Sequence, residues 1–195
     1  MDTPLTFPES RKPHRATLGF SLPELLLVMV IVGILAGVAA PRINLAKFRL
    51  DGAVREVASY IISSKSTALL KQHDVALLFD QTNNVIRILM DTNNNGATDA
   101  GETLRTEQFG DGVVFGRGGA PALPGGSATI TFQKKIDGLP SVRFHRNGSA
   151  SEEGLLYLTS RGPANPQNGR AIGVVRATGQ VRCWSYATLV WKEGC

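Results

Sequence analysis

The densest group of oxygen-bearing side chains is the stretch Asp91-Thr92-Asn93-Asn94-Asn95-Gly96-Ala97-Thr98-Asp99-Ala100-Gly101-Glu102. Its spacing fits a twelve-residue calcium loop, with side-chain oxygens from Asp91, Asn93, Asn95, Asp99 and Glu102, the carbonyl of Ala97, and the sharp turn at Gly96. Alternate side chains of a tight loop converge on one point, as a hard cation requires. Against this, only Asp91, Asp99 and Glu102 bring charge, and the flanks read as strands rather than the helices of an EF-hand. Runs of Asn, Asp and Gly also close ordinary hairpins by bonding their own backbone. Two readings therefore stand, structural calcium or a solvated turn, and no cofactor is required. A saturated oxygen cage would leave no open position for catalysis.

Other reactive arrangements are missing from the sequence. It has no nucleophile elbow, no zinc-binding histidine pair and no Cys-x-x-Cys, and His14, His73 and His145 are scattered singly. Gly116 to Ser127 is rich in glycine and proline but lacks the Gly-Lys-Ser/Thr ending of a phosphate cradle, so it reads as a connector. An enzyme is not expected. The net charge is +5, and residues 20–140 hold eleven basic and eleven acidic side chains. The excess lies in the last third, where Arg143, Arg146, Arg161, Arg170, Arg176, Arg182 and Lys192 face only Glu152, Glu153 and Glu193. Clustered cations of this kind suit phosphate contacts. Alternating strand arginines also make an ordinary solvated sheet face.

From Leu25 to Ala40 sixteen consecutive residues carry no polar side chain, and extension to Phe20 and Pro41 adds only Ser21 and Glu24 as polar groups. As a helix rising 1.5 Å per residue, residues 20–41 would cover about 33 Å, roughly a bilayer core. A cleaved secretory signal would place Pro41 directly after its cut, which disfavours it. An ordinary anchor explains the length but not Glu24. A carboxylate within an apolar helix costs about 2.5–3.5 kcal/mol at mid-membrane and is presumed functional, with a partner to be named.

The run Gly19-Phe20-Ser21-Leu22-Pro23-Glu24-Leu25-Leu26-Leu27-Val28 resembles the processing signature of type IV prepilins and type II secretion pseudopilins. That resemblance implies a membrane peptidase that cuts between Gly19 and Phe20 and N-methylates Phe20. Pro23 departs from the commoner aliphatic residue, in a first helical turn where its missing N–H is tolerated. Cleavage would expose a cationic amine at Phe20, and the resemblance implies that Glu24 pairs with that amine on a neighbouring subunit. In a low-dielectric fibre core such a pair is stronger than in water. The implied partners are the prepilin peptidase, the other pilins or pseudopilins of one fibre, and the inner membrane. The chain would cross that membrane once, with its head in the periplasm, before extraction into a fibre. Arg11, Lys12 and Arg15 before the span agree with that orientation. An exported C-terminal end permits a Cys183–Cys195 disulfide.

The elements that carry these residues divide the chain into a leader (1–19), a transmembrane and assembly helix (20–41), an amphipathic continuation (42–72) and a β-rich head (73–195). Apolar residues at Leu50, Val54, Val57, Ile61, Ala68 and Leu69 have helical spacing, so one long helix from Phe20 to about Leu70 is expected, its second half packed on the head. Strands are expected at 75–79, 85–90, 103–109, 113–115, 128–132, 141–145, 155–159, 171–176 and 180–186. Asn147-Gly148 and Thr178-Gly179 are hairpin signals. The fold class is α+β: a long N-terminal helix on an antiparallel sheet or sandwich. Residues 142–150 and 177–182 resemble the strand-turn segment and final hairpin of one branch of the family, the minor pseudopilin H of type II secretion and related fimbrial minor pilins. A minor subunit is therefore implied, of a pilus or of a secretion pseudopilus. The alternative the branch suggests is a DNA-binding minor pilin, with Arg143, Arg146, Arg176 and Arg182 as contacts.

Overall fold

The computed structural model describes residues 20–39 and 45–194, which form two separate units. The first is helix α1 (Leu22–Ala39). Ser21 stands before its first turn, where the Glu24 and Leu25 amides donate to the Ser21 carbonyl at 3.0 and 3.1 Å. Pro23 falls within that turn, where its missing donor costs nothing. The described side chains of α1 are all exposed, and apart from Glu24 they are uncharged. With 18 residues α1 is about 27 Å long, short of a roughly 30 Å hydrocarbon core. Among the described residues no helix is long and apolar enough to cross a membrane. The span expected from the sequence ran to 41, and residues 40–44 lie outside those described. The single expected helix is accordingly described as α1 and α2.

The second unit begins with α2 (Leu45–Lys71), whose stripe of Leu50, Ala53, Val54, Val57, Ile61 and Ala68 is buried. Leu50, Val57 and Ile61 are fully buried, each such side chain contributing about 1.5–3 kcal/mol relative to exposure. The helix ends at Gln72, at positive φ, whose side-chain amide donates to the Leu69 carbonyl at 2.7 Å. Ten strands follow: β1 (Asp74–Asp80), β2 (Val85–Asp91), β3 (Thr103–Gln108), β4 (Val113–Phe115), β5 (Lys135–Ile136), β6 (Leu139–Phe144), β7 (Gly154–Ser160), β8 (Arg170–Val175), β9 (Gln180–Ala187) and β10 (Val190–Glu193). They build two sheets of five strands, β3-β2-β1-β6-β5 and β10-β9-β8-β7-β4, and the pairings are antiparallel.

The main core lies among α2 and both sheets. Phe79 stacks on Phe132 with centroids 5.3 Å apart and meets Phe115 edge-on. Every residue of β1 is buried because both its faces are covered. Val75, Leu77 and Phe79 face the main core, while Ala76 and Leu78 pack with Leu89, Ile136 and Leu139 in a second cluster. The α+β architecture and eight of the nine expected strands are present. The expected strand at 128–132 is reduced to a bridge between Ile130 and Leu156. There the Thr131 hydroxyl accepts the Leu155 amide at 2.7 Å, taking a donor that a regular ladder would pair with backbone.

Candidate functional site

Three places hold the residues singled out in the sequence. At the start of α1, Phe20 is 81% exposed, and Gly19, on the other side of the expected cut, lies outside the described residues. The sequence Ser21-Leu22-Pro23-Glu24 has the Ser-x-x-Glu spacing of a capping box. The Glu24 carboxylate turns back toward the Ser21 amide, Oε2 to N at 3.5 Å. At that length it is a marginal hydrogen bond. The arrangement places the carboxylate at the positive end of an apolar helix, weakly held by the Ser21 amide. The sequence reading missed this box, and the Ser-x-x-Glu spacing at Ser21 and Glu24 is the signal that could have found it.

The Asp91–Glu102 loop starts at the last residue of β2, and Asp91 is 0% exposed. Its carboxylate accepts the amides of Asn95 at 3.1 Å and Gly96 at 2.7 Å. Glu102 reaches back to accept the Thr92 amide at 2.9 Å and the Asp99 amide at 3.2 Å. Side chains at the third, fifth and ninth positions do converge: the Asn93 and Asn95 amide groups both donate to Asp99 Oδ2. These two donors hold the Asp99 carboxyl below the usual carboxylate range. A calcium ion would need Asn93 and Asn95 to turn their oxygens inward from the present contacts with Asp99, while Asp91 accepts backbone amides and lies beside a cation. Among the described residues no three His, Cys, Asp or Glu side chains are grouped to hold a metal. In this arrangement Asp99 is the point on which the Asn93 and Asn95 side chains converge.

That neighbouring cation is Arg143, on β6. Its Nη1 lies 3.6 Å from Asp91 Oδ2 and its Nε 3.8 Å from Asp74 Oδ2. A Cβ on Gly96 would meet the guanidinium, the movable end of a long side chain, so glycine is favoured there chiefly by its φ of 77°. Asp74, the first residue of β1, also takes His145 Nδ1 at 2.8 Å, and its amide donates to the Asn94 side chain at 2.7 Å. Two buried carboxylates are thus compensated by Arg143 and joined to the loop and to His145. Of the four arginines named as DNA contacts, Arg143 is turned inward to this cluster, while Arg146, Arg176 and Arg182 are exposed. Arg182 Nε lies 4.0 Å from Glu193 Oε1.

Two further ties were not read from the sequence. Arg170, its side chain 6% exposed, pairs with Asp51 of α2 at 2.8 Å and donates to the Gln167 and Gly169 carbonyls. Glu56 accepts the Tyr60 hydroxyl at 2.8 Å and the Gly110 amide at 3.3 Å; burial first, and then Glu56, pushes the Tyr60 hydroxyl up to about 12. Both span too much sequence for periodicity to reveal, although Glu56–Tyr60 has i, i+4 spacing. Cys183 is buried in β9 and disulfide-bonded, and Cys195, its expected partner, lies outside the described residues.

Residues 14–40 match the family model described as the prokaryotic N-terminal methylation motif. The chain is similar to the pilin-like protein PilA1 of Thermus thermophilus, at 33% identity over 95 residues, 48% of this chain and 61% of that protein. It thus spans about three fifths of that relative's length. Two solved structures are looser matches. The minor pseudopilin EpsH of the type 2 secretion system of Vibrio cholerae has TM-score 0.45 and 12% identity over 72% of this chain and 96% of its own. The type IV minor pilin FimU of Pseudomonas aeruginosa has TM-score 0.44 and 14% identity over 73% and 92%. The chain therefore carries, over residues 14–40, the prokaryotic N-terminal methylation motif.

Proposed function

We propose that the chain is a minor pilin or pseudopilin, cut between Gly19 and Phe20 by a prepilin peptidase, N-methylated at Phe20 and assembled into a type IV pilus or type II secretion pseudopilus. The observation that carries the reading is the methylation motif over 14–40, ending in a helix that is apolar and exposed except for one carboxylate at its start. Exposed apolar surface on this scale has to be covered by lipid or by other chains. The precursor resides in the inner membrane with its head in the periplasm, and fibre assembly exchanges lipid contact for helix contact. There the new Phe20 amine of one subunit meets the Glu24 carboxylate of another. This is a structural role, and no catalytic role is proposed. The DNA-binding alternative loses Arg143 to the internal acid cluster and rests on Arg146, Arg176 and Arg182, so the structural subunit is preferred.

The test is Glu24→Ala in the host. Cleavage at Gly19, read from the mass of the mature chain, is expected to remain near wild type, while recovery in sheared fibres drops at least about tenfold, the loss of roughly 1.4 kcal/mol or more. Unchanged recovery would remove the pairing role.

A further inference from the structure

Ser141 and Arg143 of β6 pair with Leu78 and Ala76 of β1, so they share the face of the second apolar cluster, away from the main core. On that face a pocket of about 210 Å³ is lined by Lys134, Lys135, Ser141, Arg143 and Ser151, with Gly96 of the Asp91–Glu102 loop, and by no carboxylate. Ser151 is 5% exposed and is fixed to Arg143 twice: its amide donates to the Arg143 carbonyl at 2.7 Å, and its hydroxyl accepts the Arg143 amide at 3.1 Å. The proton of that hydroxyl has no acceptor among the described residues. The Arg143 guanidinium, its side chain 23% exposed, makes no hydrogen bond among them either. Asp91 and Asp74 stand at 3.6 and 3.8 Å, beyond hydrogen-bonding reach, and Nε is buried without a partner. Buried donors are nearly always satisfied. A guanidinium and a buried hydroxyl left over side by side therefore mark a place for an acceptor.

We infer that this pocket binds a phosphate group. Arg143, with His145 on Asp74, answers the two buried carboxylates, so it enters as a hydrogen-bond donor and not as excess charge. The charge comes from Lys134 and Lys135, both exposed and in no ion pair among the described residues. The carboxylate beside them is Glu152, which accepts the Lys134 amide at 2.8 Å and does not line the pocket. A phosphate brings three strong acceptor oxygens and a charge of about −1.5 to −2, against the two oxygens and single charge of a carboxylate. It can take the guanidinium, the Ser151 hydroxyl and two ammonium groups at once. The site belongs to the head alone and stands whether or not the chain enters a fibre.

The experiment titrates the full chain, held in detergent, with inorganic phosphate by calorimetry, at an ionic strength fixed with sodium chloride so that general screening is constant. Saturable binding of one phosphate per chain is expected. Lys134→Gln combined with Lys135→Gln should weaken it about tenfold or more, and since both positions are exposed neither change is expected to impair folding. Ser151→Ala should weaken it about threefold or more. That change also strips the Arg143 amide of its acceptor, so the lysine variant decides if the serine variant fails to fold. Glycerol phosphate bound as tightly as the free ion would identify the ligand as a phosphomonoester, and its exclusion would identify free phosphate; both results keep the site. The absence of saturable binding, acetate binding as tightly as phosphate, or an affinity indifferent to the lysine changes would each overturn it.

Discussion

Arg143→Ala separates the structural reading of this arginine from its reading as a DNA contact. The guanidinium stands between Asp91, 0% exposed, and Asp74, 7% exposed, at 3.6 and 3.8 Å. Removing one partner of a buried pair typically costs about 3–5 kcal/mol, because a charge is left uncompensated. The low end applies, since these are ion pairs longer than hydrogen bonds. Asp91 also keeps the Asn95 and Gly96 amides, and Asp74 keeps His145. A loss of about 3 kcal/mol is therefore expected, which for a unit of this size lowers the melting temperature by roughly 6–12 °C. Trp184 and Trp191, the two tryptophans of the chain, both lie in the head, so their fluorescence in the full chain held in detergent reports its unfolding. Arg143→Met should be almost as destabilising, because it restores length and apolar contact but no charge. Melting within 2 °C of wild type, with DNA affinity reduced across a salt series, would refute the internal role and restore the arginine to the surface.

Two further outcomes follow from the carboxylates of the head. Asp80 accepts the Asn83 amide and side chain at 3.0 and 2.8 Å and Arg87 at 2.7 Å; the Asn83 donors first, and Arg87 after them, hold its carboxyl below the usual range. Its contribution is thus fully present above the unfolded value of about 3.9 and fades as pH falls through the lower folded value. The stability gap between wild type and Asp80→Asn should be constant near neutrality and shrink below about pH 4; a gap that widens on acidification would contradict this sign. For the Asp91–Glu102 loop, millimolar calcium should leave the melting temperature unchanged, whereas saturation at a hundred times a dissociation constant would add about 2.7 kcal/mol. A rise of several degrees, lost in Asp99→Asn, would show that Asn93 and Asn95 turn their oxygens inward for the ion.

The head was legible where one residue type has one job. Leu50, Val54, Val57 and Ile61 have a spacing that only a helix satisfies, and all four are buried. The Thr178-Gly179 turn closes β8 on β9, with Gly179 at φ 60°, where an added Cβ would strike the Gly148 carbonyl. The missed elements are those in which the side chain does not announce the backbone. Lys135 and Ile136 make a two-residue β5 with no run to detect, and β10 follows Thr188 and Leu189, which are poor turn formers. At 128–132 the residues suit a strand, but Thr131 spends its hydroxyl where the ladder would spend a carbonyl. The loop shows the same limit. Its positions were correctly spaced and its side chains do converge on Asp99, yet spacing cannot say which end of an asparagine faces inward, nor that Arg143, fifty-two positions after Asp91 in the chain, lies against that carboxylate.

Glu24 is where the two kinds of reasoning meet, because one carboxylate has two claims on it at the same helix end. The capping box requires an acceptor that reaches the Ser21 amide; the proposed fibre contact would require a negative charge that reaches an amine on another chain. Their strengths are unequal. The observed 3.5 Å approach is at the margin of hydrogen bonding, and a capping interaction is typically worth about 1 kcal/mol even with good geometry. An ion pair 4 Å apart at an effective dielectric of 20 is worth about 4 kcal/mol before desolvation. The box can therefore position Glu24 before assembly without preventing its release to the amine. Glu24→Gln distinguishes the two claims, since glutamine also serves a capping box but cannot neutralise an ammonium. If the charge is what matters, Glu24→Gln should be recovered in fibres as poorly as Glu24→Ala. If Glu24→Gln assembles like wild type, the carboxylate acts by starting the helix, and the register of the fibre has to be set elsewhere.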